Sequence, residues 1–333
     1  MEYFENTIFH ADALNLLERI NTNDIKLIYL DPPWNTENEF NKSEYYEFIY
    51  KVLQQSKRIL HENGFLFIYS TPSRNIIFHN LLKLTFGNQN FLTEFIIPRR
   101  SLAALSGFKE RHDSLIVYSK NADSRLRNKI IARKDTDLMR LFPYNDENGR
   151  FSTQTLFSKN GINNEIWEGI TPPLNNFWRY TNDKLNELKN NGLILFKENS
   201  KPVLKRYFSE TDKYEAIGTI WNDLPPNIVG KIDNYFGSQS LEFLQRIILI
   251  STDENQIVLD PFCGSGTFIL EAKKLNRQFI GCDNNEQAIE ITKKRFISEG
   301  KPFKLIISNA LLQENIIWKD YLALSIELLQ NKK

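Results

Sequence analysis

An α/β fold, a doubly wound and mostly parallel sheet interrupted by an inserted irregular region, is the class this sequence predicts. Three observations predict it. Short β-branched or aromatic runs alternate with helical patterns through the first 120 residues, and the same alternation returns after residue 236. Two acid-headed turns, Asp31-Pro32-Pro33-Trp34 and Asp260-Pro261-Phe262-Cys263-Gly264-Ser265-Gly266-Thr267, each follow directly on a strand-like run. Strands linked by crossover helices must run mostly parallel, which gives the sheet its class.

Taken in order, Lys26 to Leu30 reads as a buried strand. Ser43 to Leu60 carries Phe48, Ile49, Val52, Leu53, Ile59 and Leu60 at helical spacing, and Asn63-Gly64 is expected to end that helix with a left-handed cap. Phe65 to Tyr69 is the next strand, Ser73 to Phe86 a helix stopped by Gly87, and Phe91 to Ile97 and Leu115 to Tyr118 two further strands. From about Asn121 to Phe236 the rhythm breaks, with Pro172-Pro173, Pro225-Pro226 and aromatic residues interleaved with basic ones. Regular elements resume with a helix over Leu241 to Ile250, a strand over Gln256 to Leu259, a helix over Thr267 to Leu275, a strand over Gln278 to Cys282 and a helix over Asn285 to Glu299. The expected organisation is therefore a half-domain over 1–120, an insert over 121–236 and a second half-domain over 237–333.

Composition excludes several classes. The 333 residues are 41% hydrophobic and 25% charged with a mean hydropathy of −0.42, which describes a globular chain rather than a disordered or fibrous one. Apolar stretches such as Ile247 to Ile250 fall far short of the roughly 18 residues that a membrane span needs. The acidic start, Met1-Glu2-Tyr3-Phe4-Glu5, has no basic region ahead of an apolar one, so no secretory signal and a cytoplasmic location are expected. Two cysteines, 263 and 282, and four scattered histidines give no metal spacing, so no metal is expected. Net charge is only +1, yet Arg99 to Arg140 holds eleven Lys or Arg against five acids, a local surplus of six.

At the second turn, two of the chain's 14 glycines fall within three residues, between a strand and a helix, where a ligand must approach main chain closely. Asp283 stands seventeen residues after Gly266 at the end of the next strand, where an acid takes ribose hydroxyls. The spacing lacks the GxGxxG of dinucleotide sites and the GxxxxGK[ST] of triphosphate sites. An adenosyl ligand without phosphates fits better. At the first turn, two prolines remove two backbone donors, leaving the Asp31 carboxylate and the Pro32 carbonyl, both acceptors, beside the Trp34 ring. Two acceptors and an aromatic face suit a flat heterocycle bearing an NH2 group.

In this combination the chain resembles the β-ordered DNA N6-adenine methyltransferases of the N4/N6 family, in which a D-P-P-[YW] turn precedes the recognition region and an F-x-G-x-G turn follows it. The resemblance covers most of 3–120 and 215–297. Ala11-Asp12-Ala13-Leu14, Lys109 to Asp113 and Trp221 also sit where relatives have similar residues. It implies a Rossmann-like methyltransferase fold, with S-adenosyl-L-methionine as methyl donor. Asp31, Pro32, Pro33 and Trp34 would be catalytic. Asp12, Gln239, Asp260, Phe262, Cys263, Gly264, Gly266, Thr267 and Asp283 would hold the cofactor. One departure stands out: relatives often begin the helix before the glycine turn with T-Q-K-P, and here the stretch is Ser238-Gln239-Ser240-Leu241. Gln239 and the helix N-terminus remain able to hold a carboxylate.

The resemblance implies a site-specific enzyme acting on double-stranded DNA by flipping the base out, as the modification component of a restriction-modification system. A separately acting endonuclease and a homodimer are candidate partners. Basic residues of the insert and its approach, Arg99, Arg100, Arg111, Arg179, Lys205 and Arg206, together with the aromatic Trp178, are expected to meet phosphates and base edges. Asp at the head of the catalytic turn favours adenine, since N4-cytosine relatives more often carry Ser there. N4-cytosine and RNA adenine methylation remain alternatives, as does a binding module without catalysis. A NAD-dependent oxidoreductase is disfavoured because no phosphate-binding glycine pattern accompanies Asp283.

Overall fold

The structure, a computed structural model, describes residues 4–33, 42–99, 111–127, 130–132, 135–196, 201–225, 231–232, 235–236, 239–307 and 319–320. The chain forms two compact units, one of Met1–Lys129 with Gly218–Lys333 and one of Ile130–Ile217. No helix among the described residues is long and apolar enough to cross a membrane.

The first unit is built on one nine-stranded sheet. Its strands are β1 (Thr7–His10), β2 (Ile25–Leu30), β3 (Leu60–Ser70), β4 (Phe91–Pro98), β5 (His112–Ser119), β6 (Ile257–Asp260), β7 (Gln278–Asp283), β8 (Lys304–Ile307) and β9 (Lys319–Asp320). Their spatial order is β9-β8-β1-β7-β6-β2-β3-β5-β4. Every pairing from β8 across to β3 is parallel. Only β5, between β3 and β4, and the edge strand β9 run against their neighbours. The reversal of β5 brings its first residues, His112 and Asp113, to the same edge as the carboxyl ends of β3 and β4.

Among the described residues, six helices accompany these strands: α1 (Ala13–Arg19), α2 (Lys42–Ile59), α3 (Pro72–Phe86), α4 (Leu241–Ser251), α5 (Thr267–Lys274) and α6 (Glu286–Ser298). In α2 the buried positions Tyr45, Ile49, Val52, Leu53 and Ile59 make one apolar stripe at helical spacing. They join Leu16 and Leu17 of α1, Phe78 and Leu82 of α3, and the strand residues Ile28, Leu30, Leu66, Ile68, Leu259 and Ile280 in one core. Side chains of opposite parity on the same strands meet the other three helices: Tyr29 stacks on Phe268 of α5, Tyr69 meets Phe243 of α4, and Phe279 meets Phe296 of α6. With both faces covered, the central strands are near-continuous apolar runs, as parallel sheets require.

Two local expectations are revised. Gly64 is not a helix cap: α2 ends at Ile59, β3 begins at Leu60, and Gly64 lies outside the left-handed region. The β2 register jumps from Ile25↔Leu60 to Leu27↔Phe65, so residues 61–64 bulge from the strand. A Cβ at Gly64 would stand 2.8 Å from both His61 O and Leu60 Cγ, so close approach is what demands glycine there. The stretch from 121 to 236 is also more ordered than its lack of period suggests. The second unit holds a four-stranded sheet, Ile194–Leu195, Val203–Tyr207, Gly149–Thr155 and Tyr144–Asp146 in that order, and a helix over Asn182–Asn190. Leu156, Phe157, Trp167, Trp178, Leu185, Leu188 and Ile194 form its core. Residues 219–221 belong to the first unit, where Ile96 N–H donates to Thr219 O and Trp221 N–H to Ile96 O.

Candidate active site

The chain runs outward in opposite directions from the β6/β2 pair, toward β7 on one side and β3 on the other. This is the topological switch point, where open α/β sheets bind ligands at the carboxyl ends of their strands. Asp260 closes β6 and Asp31 directly follows β2, so the heads of both turns stand side by side at that edge.

The glycine turn is held from within and from behind. Asp260 Oδ1 accepts from Phe262 N–H at 3.0 Å, Cys263 N–H donates to Cys282 O at 2.8 Å, and Gly264 N–H donates to Asp283 Oδ2 at 2.9 Å. Gly264 and Gly266 have φ of 51° and 74°, conformations that side-chain-bearing residues rarely adopt. Behind the turn, helix α6 supplies Thr292, whose hydroxyl donates to Gly264 O at 2.9 Å. Arg295, three residues on and thus on the same helical face, reaches Ser265 O and Thr267 Oγ1, each at 2.7 Å. Neither residue is singled out by the sequence. Their only signal is the i, i+3 pairing on a helix that follows the acid of β7.

Asp283 also accepts from Asn285 N–H through Oδ1 at 2.9 Å. Each carboxylate oxygen has a further lone pair, so the residue keeps capacity for two hydroxyl donors. Asp12 caps α1, its Oδ1 accepting from Leu14 N–H at 2.9 Å, and Ala11 N–H donates to Asp283 O, which brings the Asp12 loop beside Asp283. Burial drives the Asp260 carboxyl well above the usual range, with Asp31 and Asp283 pushing the same way against the Phe262 N–H. Burial likewise raises Asp283, opposed by the Asn285 and Gly264 N–H groups. Burial, the first cause of both shifts, thus biases both carboxyls toward the neutral acid. Both cysteines are buried, and burial pushes both thiols well up, so neither is an activated nucleophile.

At the other turn Pro32 is buried and Pro33 exposed, while Trp34 lies outside the described residues. Gln239 donates from Nε2 to Asp31 Oδ2 at 2.9 Å and accepts at Oε1 from the Tyr29 hydroxyl. A side chain expected to hold cofactor is thus bonded to Asp31.

The expected DNA contacts fare unequally. Trp178 is corrected: it is fully buried in the core of the second unit and its indole N–H donates to Glu165 O, so its faces are not open to a base. Lys205 is ion-paired with Asp146 at 2.7 Å and Arg206 with Asp212. Arg99 pairs at 3.0 Å with the buried Asp113, which also accepts from Tyr69 OH at 2.7 Å. Arg111 and Arg179 are exposed, and Arg100 lies outside the described residues.

A sheet with this switch point, glycine turn and terminal acids defines a Rossmann-like nucleoside-cofactor protein. Residues 25–294 match the N6_N4_Mtase family model, described as DNA methylase, and the chain belongs to that family. It is similar to the Type II methyltransferase M.EcaI of Enterobacter cloacae, with 26% identity over 322 residues, 90% of this chain and 70% of that one. M.HpaI of Haemophilus parainfluenzae is 25% identical over 89% of this chain and 76% of its own. M.BamHI of Bacillus amyloliquefaciens is 24% identical over 90% of this chain, which spans 59% of that protein. A Thermus thermophilus protein described as a DNA modification methylase, solved in complex with S-adenosyl-L-methionine, shares the fold at a TM-score of 0.52 and 15% identity, covering 92% of this chain and all of that one.

Proposed function

We propose that the chain transfers the methyl group of S-adenosylmethionine to N6 of adenine in duplex DNA, as the modification component of a restriction-modification system. The observation that carries this reading is the side-by-side placement of Asp31 and Asp260 at the switch point, which sets an acceptor turn against a glycine turn. The Type II relatives support the restriction-modification setting, and Asp at the head of the catalytic turn supports adenine over cytosine.

Several features of the site fit the cofactor. Asp283 and Asp12, brought side by side at the carboxyl edge, offer acceptors suited to an adenosine, and the half-buried Gly264 lies at the turn beside them. When bound, S-adenosylmethionine supplies an electrophilic methyl on a sulfonium. The Asp31 carboxylate and the Pro32 carbonyl accept the two hydrogens of the base's amino group, turning its lone pair out of the ring plane. Catalysis then rests on positioning and on negative charge placed where the amine becomes cationic. Residues 1–120 would carry this chemistry, 237–333 the cofactor, and the part of 121–236 that forms the second unit target recognition, with Arg111 and Arg179 as phosphate contacts. A flipped base costs a few kcal/mol in lost pairing and stacking, met by contacts in the pocket.

Transfer of labelled methyl groups to unmethylated duplex DNA, single-stranded DNA and RNA in parallel, followed by nucleoside analysis, tests the reading. N6-methyladenine in the duplex is expected. N4-methylcytosine would overturn the base assignment, and product in RNA alone would overturn the substrate.

A further inference from the structure

Gln239 lies just ahead of α4, whose N-cap is Ser240, and turns its side chain toward the end of β2. Tyr29 and Asp31 are two residues apart in the same extended run, so their side chains project to the same face. Gln239 spans them, accepting from the Tyr29 hydroxyl and donating to Asp31 Oδ2 at 2.9 Å. Tyr29 is itself fixed: it is 2% exposed and its ring stacks on Phe268 of α5 at 4.8 Å and 26°.

The order of donors and acceptors in this chain is determined. A phenol hydroxyl that donates to the amide oxygen forces the amide NH2 to the opposite side, toward the carboxylate. Burial, helped by the charge of Asp31, holds the Tyr29 phenol well above its ordinary value, so it remains a donor throughout the working range. The terminal torsion of an aspartate is broad and roughly two-fold, so a carboxylate at the mouth of a turn rotates unless a donor pins it. A lysine or arginine in this place would pin Asp31 but neutralise it. Glutamine pins it and leaves its charge intact.

We propose that Gln239, oriented by Tyr29, is a positioning residue for Asp31, fixing the carboxylate plane that the amino group of the target base must meet. The inference rests on the reading of Asp31 as that acceptor. It gives Gln239 a role in the chemical step and not in holding the cofactor's carboxylate, and it makes Tyr29 part of the machinery.

Single-turnover and steady-state transfer with labelled S-adenosylmethionine and duplex DNA, on the full chain, separates the possibilities. Gln239→Leu is expected to lower kcat by about 10- to 100-fold, the span of one charge-assisted hydrogen bond, with the cofactor Kd unchanged. Gln239→Glu sets a like charge beside Asp31 and should move the acid limb of the kcat profile to higher pH. Tyr29→Phe should give a smaller loss of the same kind, and Tyr29→Phe with Gln239→Leu should be no slower than Gln239→Leu alone, because one chain is broken once. A weakened cofactor Kd with kcat retained would overturn the proposal in favour of cofactor binding, and unchanged kcat in both single variants would overturn it outright. If Asp31→Ala kept full activity, the reading of the site itself would fail. Loss in Asp31→Ala with none in the Gln239 variants would sink only the positioning role.

Discussion

Thr292 and Gly266 fit as side chain against bare backbone: a Cβ built on Gly266 would lie 2.4 Å from the Thr292 methyl and 2.7 Å from its hydroxyl. The same hydroxyl holds Gly264 O, so one helix residue both shapes and fills the back of the turn. Gly266→Ala must therefore fail twice, by steric overlap and by a φ of 74° that costs a side chain about 1–2 kcal/mol. We expect a lower Tm and a cofactor Kd weakened at least tenfold, read by calorimetry. Thr292→Val keeps the shape and removes the hydrogen bond, a loss of about 0.5–1.5 kcal/mol. Its effect should appear in cofactor KM with kcat retained.

Asp260 fixes the direction of pH dependence. Its folded pKa lies above its unfolded value, so the folded state binds more protons in the interval between them. The stability it contributes is full below the unfolded value, falls as pH rises toward the folded one, and is lost beyond it. Asp260→Asn should remove its share of that slope from a plot of Tm against pH, leaving the share of Asp283, which burial raises in the same direction. A cationic ligand favours the ionised carboxyls of Asp260 and Asp283, so its binding should release protons and tighten as pH rises. Calorimetry in buffers of different ionisation enthalpy measures the proton count.

In the second unit, Trp178 and Arg179 are neighbours with opposite fates, one buried and one exposed. Trp178→Ala should cost about 3–5 kcal/mol as a cavity, seen as early melting of that unit. Arg179→Ala should leave melting unchanged, weaken duplex binding at every sequence, and reduce the salt slope of log K by about 0.9 if it meets a phosphate.

Asp113 is almost fully buried, and Arg99 is a cationic partner. Arg99→Ala should lower stability, by less than the about 3–5 kcal/mol of a fully buried pair, because Arg99 is partly exposed and the Tyr69 hydroxyl still donates to Asp113. Restoring the charge as Arg99→Lys should recover part of it. Thermal melting of the two variants checks both statements.

The sheet is readable from runs such as Phe65 to Tyr69, and α3 from its stop at Gly87, whose φ of 89° uses glycine's freedom. Strand β1 is not: four residues, Thr7–His10, become a strand only because β7 and β8, far along the chain, pair with both sides. Interleaved aromatic and basic residues look like a nucleic-acid surface, yet the same pattern places Trp178 inside and Arg179 outside, since burial is decided by partners such as Phe157 and Trp167. The two turns announce themselves by composition and by the strands before them. What ties them together does not, because Gln239 reaches Asp31 across 208 positions of sequence.

The Asp31 turn is proposed to perform the chemistry on a base delivered beside the glycine turn. Single-turnover transfer by Asp31→Ala, with cofactor and duplex DNA both saturating, tests it most directly. Cofactor and DNA binding close to wild type are expected, with a rate lower by about 10²–10³-fold or more, as when a preorganised electrostatic partner is removed. Transfer at the wild-type rate would contradict it.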